Sequence, residues 1–174
     1  MKHEHEDAVI RWEPYLLRPN MPPEGMEMPV EYQDETDDTH TRLRMMADSG
    51  GLKIVFTDRI RNSRLALEAT EYAYELGRGD EFHRAVFDQL YGEGRDIGSW
   101  EVLRVAAGAA GLDAGEMEKA ITSGEYTEVL EKKLTAAHDL GIKAVPTYII
   151  NGSYRIVGAH PYKEFVSAIS SLDI

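Results

Sequence analysis

The chain has 174 residues, enough for one domain with a sizeable core and an insert. Its formal net charge of −12 argues against nucleic acid and anionic membrane surfaces, since both are bound through a basic footprint. It contains no cysteine, which excludes disulfides within it, and no apolar run approaches the ~20 residues that span a bilayer.

The elements follow in chain order. The N-terminus is acidic and polar, without the apolar stretch of a secretory leader, so a cytoplasmic location is expected. Residues 8 to 17 are a strand candidate, and residues 18 to 33 are too rich in proline for a helix. Thr36 to Ala47 reads as a helix with Leu43 and Met46 on one face, closed by Gly50-Gly51. Ile54-Val55-Phe56 is ambiguous between strand and extended connection. Asn62 or Ser63 caps a helix to about Leu76, and Asp80 starts the next, with Phe82, Val86, Phe87 and Leu90 as its apolar face. Ser99 caps a helix toward Ala110, Asp113 opens a short one through Ile121, and Glu125 to Leu140 is another, stopped by Gly141.

The chain ends with its most informative stretch. Thr147 to Ile150 is β-branched and aromatic, which favours a strand. Asn151-Gly152 tolerates the positive φ of a two-residue type I′ turn, and Ser153 to Val157 supplies the return strand. Pro161 then suits a first helical turn, with Tyr162, Phe165, Val166 and Ile169 at helical spacing. On these grounds alone the segment reads as the end of an α/β domain.

Ala144-Val145-Pro146-Thr147, Asn151-Gly152 and Ile156-Val157-Gly158-Ala159-His160-Pro161-Tyr162 resemble the C-terminal signature of DsbA-like oxidoreductases of the FrnE type. That group is related to 2-hydroxychromene-2-carboxylate isomerases and kappa-class glutathione transferases. Ala144 stands where the family usually has glycine. Weaker similarities lie in Val9 to Pro19, Arg61 to Leu67, Tyr91 to Ile97 and Ala110 to Asp113. The resemblance implies an α/β, thioredoxin-like fold with a large inserted helical domain. Its first strand and first helix, which carry Cys-x-x-Cys in the family, have no counterpart here. The implied division is an incomplete thioredoxin-like domain over 1–34 plus 141–174, and a helical insert over 35–140.

The resemblance also implies a site. In the family the Val-Pro peptide is cis and borders the active site. Val145, Pro146 and Thr147 are therefore expected to hold an extended peptide or the backbone of glutathione, and Asn62 matches a position near the same cleft. The ordinary alternatives are a trans proline opening a strand and a helix N-cap at Asn62. No catalytic residue, metal or obligatory cofactor is expected. His3-Glu4-His5-Glu6 is read as a solvated terminus rather than a metal cluster. Trp12 and Trp100 are read as core or domain-interface aromatics, and Met45 and Met46 as helix packing. Arg11, Arg18 and Arg155 could hold a carboxylate, with surface solvation as the default.

Three functions fit. The chain is a piece of a DsbA/FrnE-type thiol–disulfide oxidoreductase with Cys-x-x-Cys upstream, a redox-inactive peptide-binding or scaffolding module, or a glutathione-using isomerase or transferase. Losing a central strand would leave sheet edges open, so either Val9–Leu17 shifts into the gap or two chains pair as a homodimer.

Overall fold

The computed structural model describes residues 9–29 and 36–172. It divides into two compact units: unit 1 is Met1–Leu17 with Lys133–Ile174, and unit 2 is Arg18–Lys132. The division falls at 17/18 and 132/133. The proline-rich loop goes with the helices because it bonds to them. The Asn62 side-chain amide donates to the Met21 and Pro22 carbonyls at 2.8 and 3.2 Å.

Unit 2 holds a two-residue strand, β1 (Met26–Glu27), inside the segment read as too rich in proline for a helix. It pairs antiparallel with β2 (Arg59–Ile60). Gly25 makes this possible: its φ is +73°, and a Cβ there would fall on the Ile60 carbonyl oxygen. Between them, α1 (Thr36–Ser49) ends at Gly50-Gly51. Residues 54–56 form neither helix nor strand.

The helices α2 (Arg64–Glu75), α3 (Gly79–Phe87), α4 (Trp100–Ala109), α5 (Ala114–Thr122) and α6 (Glu125–Asp139) follow. A π-helical turn over Asp88–Gly92 continues α3. Ala66, Ala69 and Ala73 line one face of α2, and small side chains there let neighbouring helices approach closely. Phe82, Leu103, Met117 and Leu130 fill the centre of the core and are fully buried. Asp113 caps α5 by accepting from the Glu116 amide at 2.9 Å. Ser99 makes no side-chain cap on α4. At α2 the cap comes from Asn62, whose Oδ1 accepts from the Arg64 amide at 2.9 Å.

Unit 1 holds β3 (Thr147–Ile150), β4 (Tyr154–Val157) and α7 (Tyr162–Ser170). Asn151 and Gly152 both have positive φ, at 48° and 71°. The Ser153 amide closes the turn on the Ile150 carbonyl at 3.2 Å. The ladder pairs Ile150 with Tyr154, so the loop holds three residues rather than the expected two. Ile156, Phe165 and Ala168 form the small buried cluster between hairpin and helix, with Tyr148 and Ile150 against it. Tyr148 meets Phe165 edge-on, ring centroids 4.7 Å apart.

Three expectations are corrected. The described residues of the predicted strand, 9–17, join no ladder, because among the described residues no strand lies alongside them. Of the two places read for Trp12, the core is excluded, since it is 46% exposed; Trp100 packs against the unit 2 core. Met45 and Met46 are exposed, at 68% and 55%, because α1 stands largely apart from the bundle. The His3–Glu6 segment lies outside the described residues. Among the described residues no helix is long and apolar enough to cross a membrane.

Candidate functional site

The Pro146 loop opens unit 1's hairpin, and its geometry follows from the ladder. The Gly158 amide donates to the Pro146 carbonyl at 2.8 Å, in register with the Thr147–Val157 and Tyr148–Ile156 pairs. Hydrogen-bonded and non-bonded pairs alternate along an antiparallel ladder. Tyr148 and Ile150 therefore spend their backbone groups on β4. The N–H and C=O of Thr147 and Ile149 point the other way, to the outer edge of β3. Among the described residues, that edge has no partner strand.

Side chains alternate in the same rhythm. Tyr148, Ile150 and Ile156 face α7. Thr147, Ile149, Arg155 and Val157 share the opposite face, where Ile149 and Val157 are exposed. Val145 precedes the strand and is also exposed; the Val145–Pro146 peptide bond is cis. The Thr147 hydroxyl donates to the Ala144 carbonyl at 2.6 Å, which fixes the entry to the strand.

The rest of unit 1 braces this hairpin. Arg155 donates to the Leu140 carbonyl at 2.5 Å, tying β4 to the end of α6, so its guanidinium serves the fold as well as any anion. Tyr15 donates to the Ile142 carbonyl at 3.2 Å, and Glu13 pairs with Lys133 at 3.0 Å. His160 sits between two acceptors: the Glu164 carboxylate at 2.6 Å from Nδ1 and the Val157 carbonyl at 3.0 Å from Nε2. Only the doubly protonated ring donates to both. The Val157 carbonyl first, and Glu164 second, raise its pKa above the usual histidine value. Reading the sequence missed this bracket, although the i, i+4 spacing of His160 and Glu164 signals it.

The expected site residues are thus placed as follows. Val145, Pro146 and Thr147 lie together at the mouth of the hairpin in unit 1. Asn62 belongs to unit 2, where both ends of its amide are engaged by backbone, as loop clamp and helix cap. In unit 2, the Tyr126 hydroxyl donates to Glu75 at 2.8 Å, and burial above all pushes its pKa upward. Burial likewise lowers the pKa of His83, against the opposing pull of Asp80. Among the described residues, no group of three or more His, Cys, Asp or Glu side chains could hold a metal ion.

The model of the DSBA-like thioredoxin domain matches residues 1–170. An uncharacterized protein of Bacillus subtilis (strain 168), YwbO, is 31% identical over 168 residues, covering 95% of this chain and 82% of its own length. Among solved structures, a probable DsbA oxidoreductase of Streptomyces coelicolor, SCO1869, superposes with a TM-score of 0.82 at 22% identity, over 89% of this chain and 71% of that one. A 2-hydroxychromene-2-carboxylate isomerase superposes at 0.80 with 18% identity, over 98% and 84%. At these identities the two structures speak for the fold, which is thioredoxin-like with a helical insertion. The chain belongs to the DSBA-like thioredoxin domain family.

Proposed function

We propose that this cysteine-free chain is a redox-inactive member of its family that holds an extended polypeptide at the mouth of its C-terminal hairpin. The observation that carries the reading is the outer edge of β3, where Thr147 and Ile149 turn their backbone donors and acceptors away from β4, next to exposed Val145. Such an edge recognises any extended main chain, with flanking side chains setting preference. Thiolate exchange needs a sulfur that this polypeptide lacks. A cytoplasmic setting belongs to the same proposal and is tested by cell fractionation.

The test uses a fluorescent, carboxymethylated and therefore unfolded polypeptide as probe. Binding is read by anisotropy with and without Ile149→Pro, which removes one outward N–H. Loss of at least tenfold in affinity is expected; unchanged binding would refute the edge as the site. Glutathione, which carries peptide groups of its own, is titrated against the probe, and its displacement of the probe at stoichiometric levels would favour the transferase-type reading instead. Reduction of insulin disulfides by this chain should be absent.

A second reading is favoured by one observation: the alignment covers only 82% of the Bacillus relative. On it, this sequence is a piece of a longer dithiol oxidoreductase. Intact mass and N-terminal peptides from the native cell decide it, since a longer protein with Cys-x-x-Cys would establish that reading.

A further inference from the structure

Unit 1 carries two elements that join no further strand among the described residues. The first is the outer edge of β3, with a face beside it on which Ile149 and Val157 are exposed. The buried cluster that supports this hairpin holds only Ile156, Phe165 and Ala168. A hairpin alone is at best marginal in water; here α7 supports one face of it, while the outer edge of β3 remains open among the described residues. The second element is the segment from Val9 to Glu13. It runs without helix or ladder, and it shows Val9 at 94% and Ile10 at 38% exposure. Its C-terminal end is anchored by Glu13 on Lys133 and Tyr15 on the Ile142 carbonyl, and Pro14 there is buried. The residues before this anchor have the β-branched composition of a strand.

We propose that residues 9–13 of a second copy of this chain add to the outer edge of β3, and that the exchange is reciprocal. The inference rests on the reading of that edge as a strand acceptor and names its partner. A foreign peptide would satisfy the edge and leave Val9 and Ile10 in water. A second copy satisfies both elements in both chains, through one closed two-fold arrangement that leaves no acceptor over. The added strand pairs with the outward N–H and C=O groups of Thr147 and Ile149, and whichever of Val9 and Ile10 the register places on the Ile149 face covers that residue, since adjacent side chains alternate faces.

The absence of cysteine makes the test direct. Single-cysteine chains are prepared: Ile149→Cys on the acceptor, and Val9→Cys, Ile10→Cys or Arg11→Cys on the donor to scan register. Mixing donor and acceptor under mild oxidation should give a heterodimeric disulfide for at least one donor position. Light scattering on a sizing column should show a dimer. Ile10→Asp, which burdens the donor alone, should weaken that dimer at least tenfold while leaving binding of the unfolded probe unchanged or stronger. Ile149→Pro should lose both. A monomer at all concentrations overturns the exchange, and probe binding that persists there leaves the edge reading standing. A dimer that survives both Ile10→Asp and Ile149→Pro also overturns it, by showing another interface. So does a disulfide formed within one chain carrying both Ile10→Cys and Ile149→Cys, because the segment would then close on its own hairpin.

Discussion

Replacing Ile149 by proline tests the assignment of inner and outer edges from which the functional reading grows. Proline removes the residue's N–H and holds φ near −65°, and it pushes the preceding residue, here Tyr148, toward extended conformations that a strand already has. If the Ile149 N–H faces outward, no ladder bond is lost. The side chain is 41% exposed, so roughly half of the ~1.5–3 kcal/mol for burying an isoleucine is at stake. Proline retains part of that contact and stiffens the unfolded chain by about 0.4–1 kcal/mol. The net change in stability should therefore stay within about 1 kcal/mol, a shift of some 2–4 °C in Tm for a chain of this size. Were the N–H bonded to β4, an unsatisfied partner would add about 1–3 kcal/mol, and the hairpin would open. Urea melts and amide exchange of Tyr148, Ile150 and Ile156 separate the two cases. Protection lost at those amides would refute the edge assignment and, with it, the proposed site.

The remaining predictions address other parts of the molecule. His160 has a raised pKa, so the stability it lends to the start of α7 is fully present below the unfolded value near 6.5 and is lost as pH rises through the folded value. An NMR titration should find His160 above its Glu164→Gln counterpart, and equal values would contradict the bracket. Gly25→Ala should cost about 1–3 kcal/mol, since it adds a Cβ against the Ile60 carbonyl at positive φ. Gly51→Ala, at φ +67° with nothing within 4 Å, should cost less, and chemical denaturation that ranks them the other way would count against the β1–β2 geometry. Leu103→Ala should lose about 2–5 kcal/mol from a fully buried site. Met45→Ala, on the exposed face of α1, should stay within ~0.5 kcal/mol; comparable thermal shifts for the two would mean that α1 is packed after all.

Local chemistry made most of this chain legible. Helical periodicity and glycine stops marked out α1 to α6 within a few residues, because each helix is bounded by its own sequence: Asp113 at the start of α5, Gly77 after α2, Gly141 after α6. The Asn151-Gly152 turn and the strands beside it are equally local. So is the absence of cysteine, which is read directly from the sequence. Partnership is not local. Val9 to Leu17 has strand composition, yet composition cannot supply the neighbour that makes a strand, and the described residues contain none. Nor could the sequence say that Asn62 spends its amide clamping Met21 and Pro22, so that residues 18–29 belong with the helices. The outward turn of Thr147 and Ile149 depends on Gly158, just past β4, lying opposite Pro146. That register is set by the three-residue loop and by the packing of Ile156 on Phe165, and only the folded chain decides it.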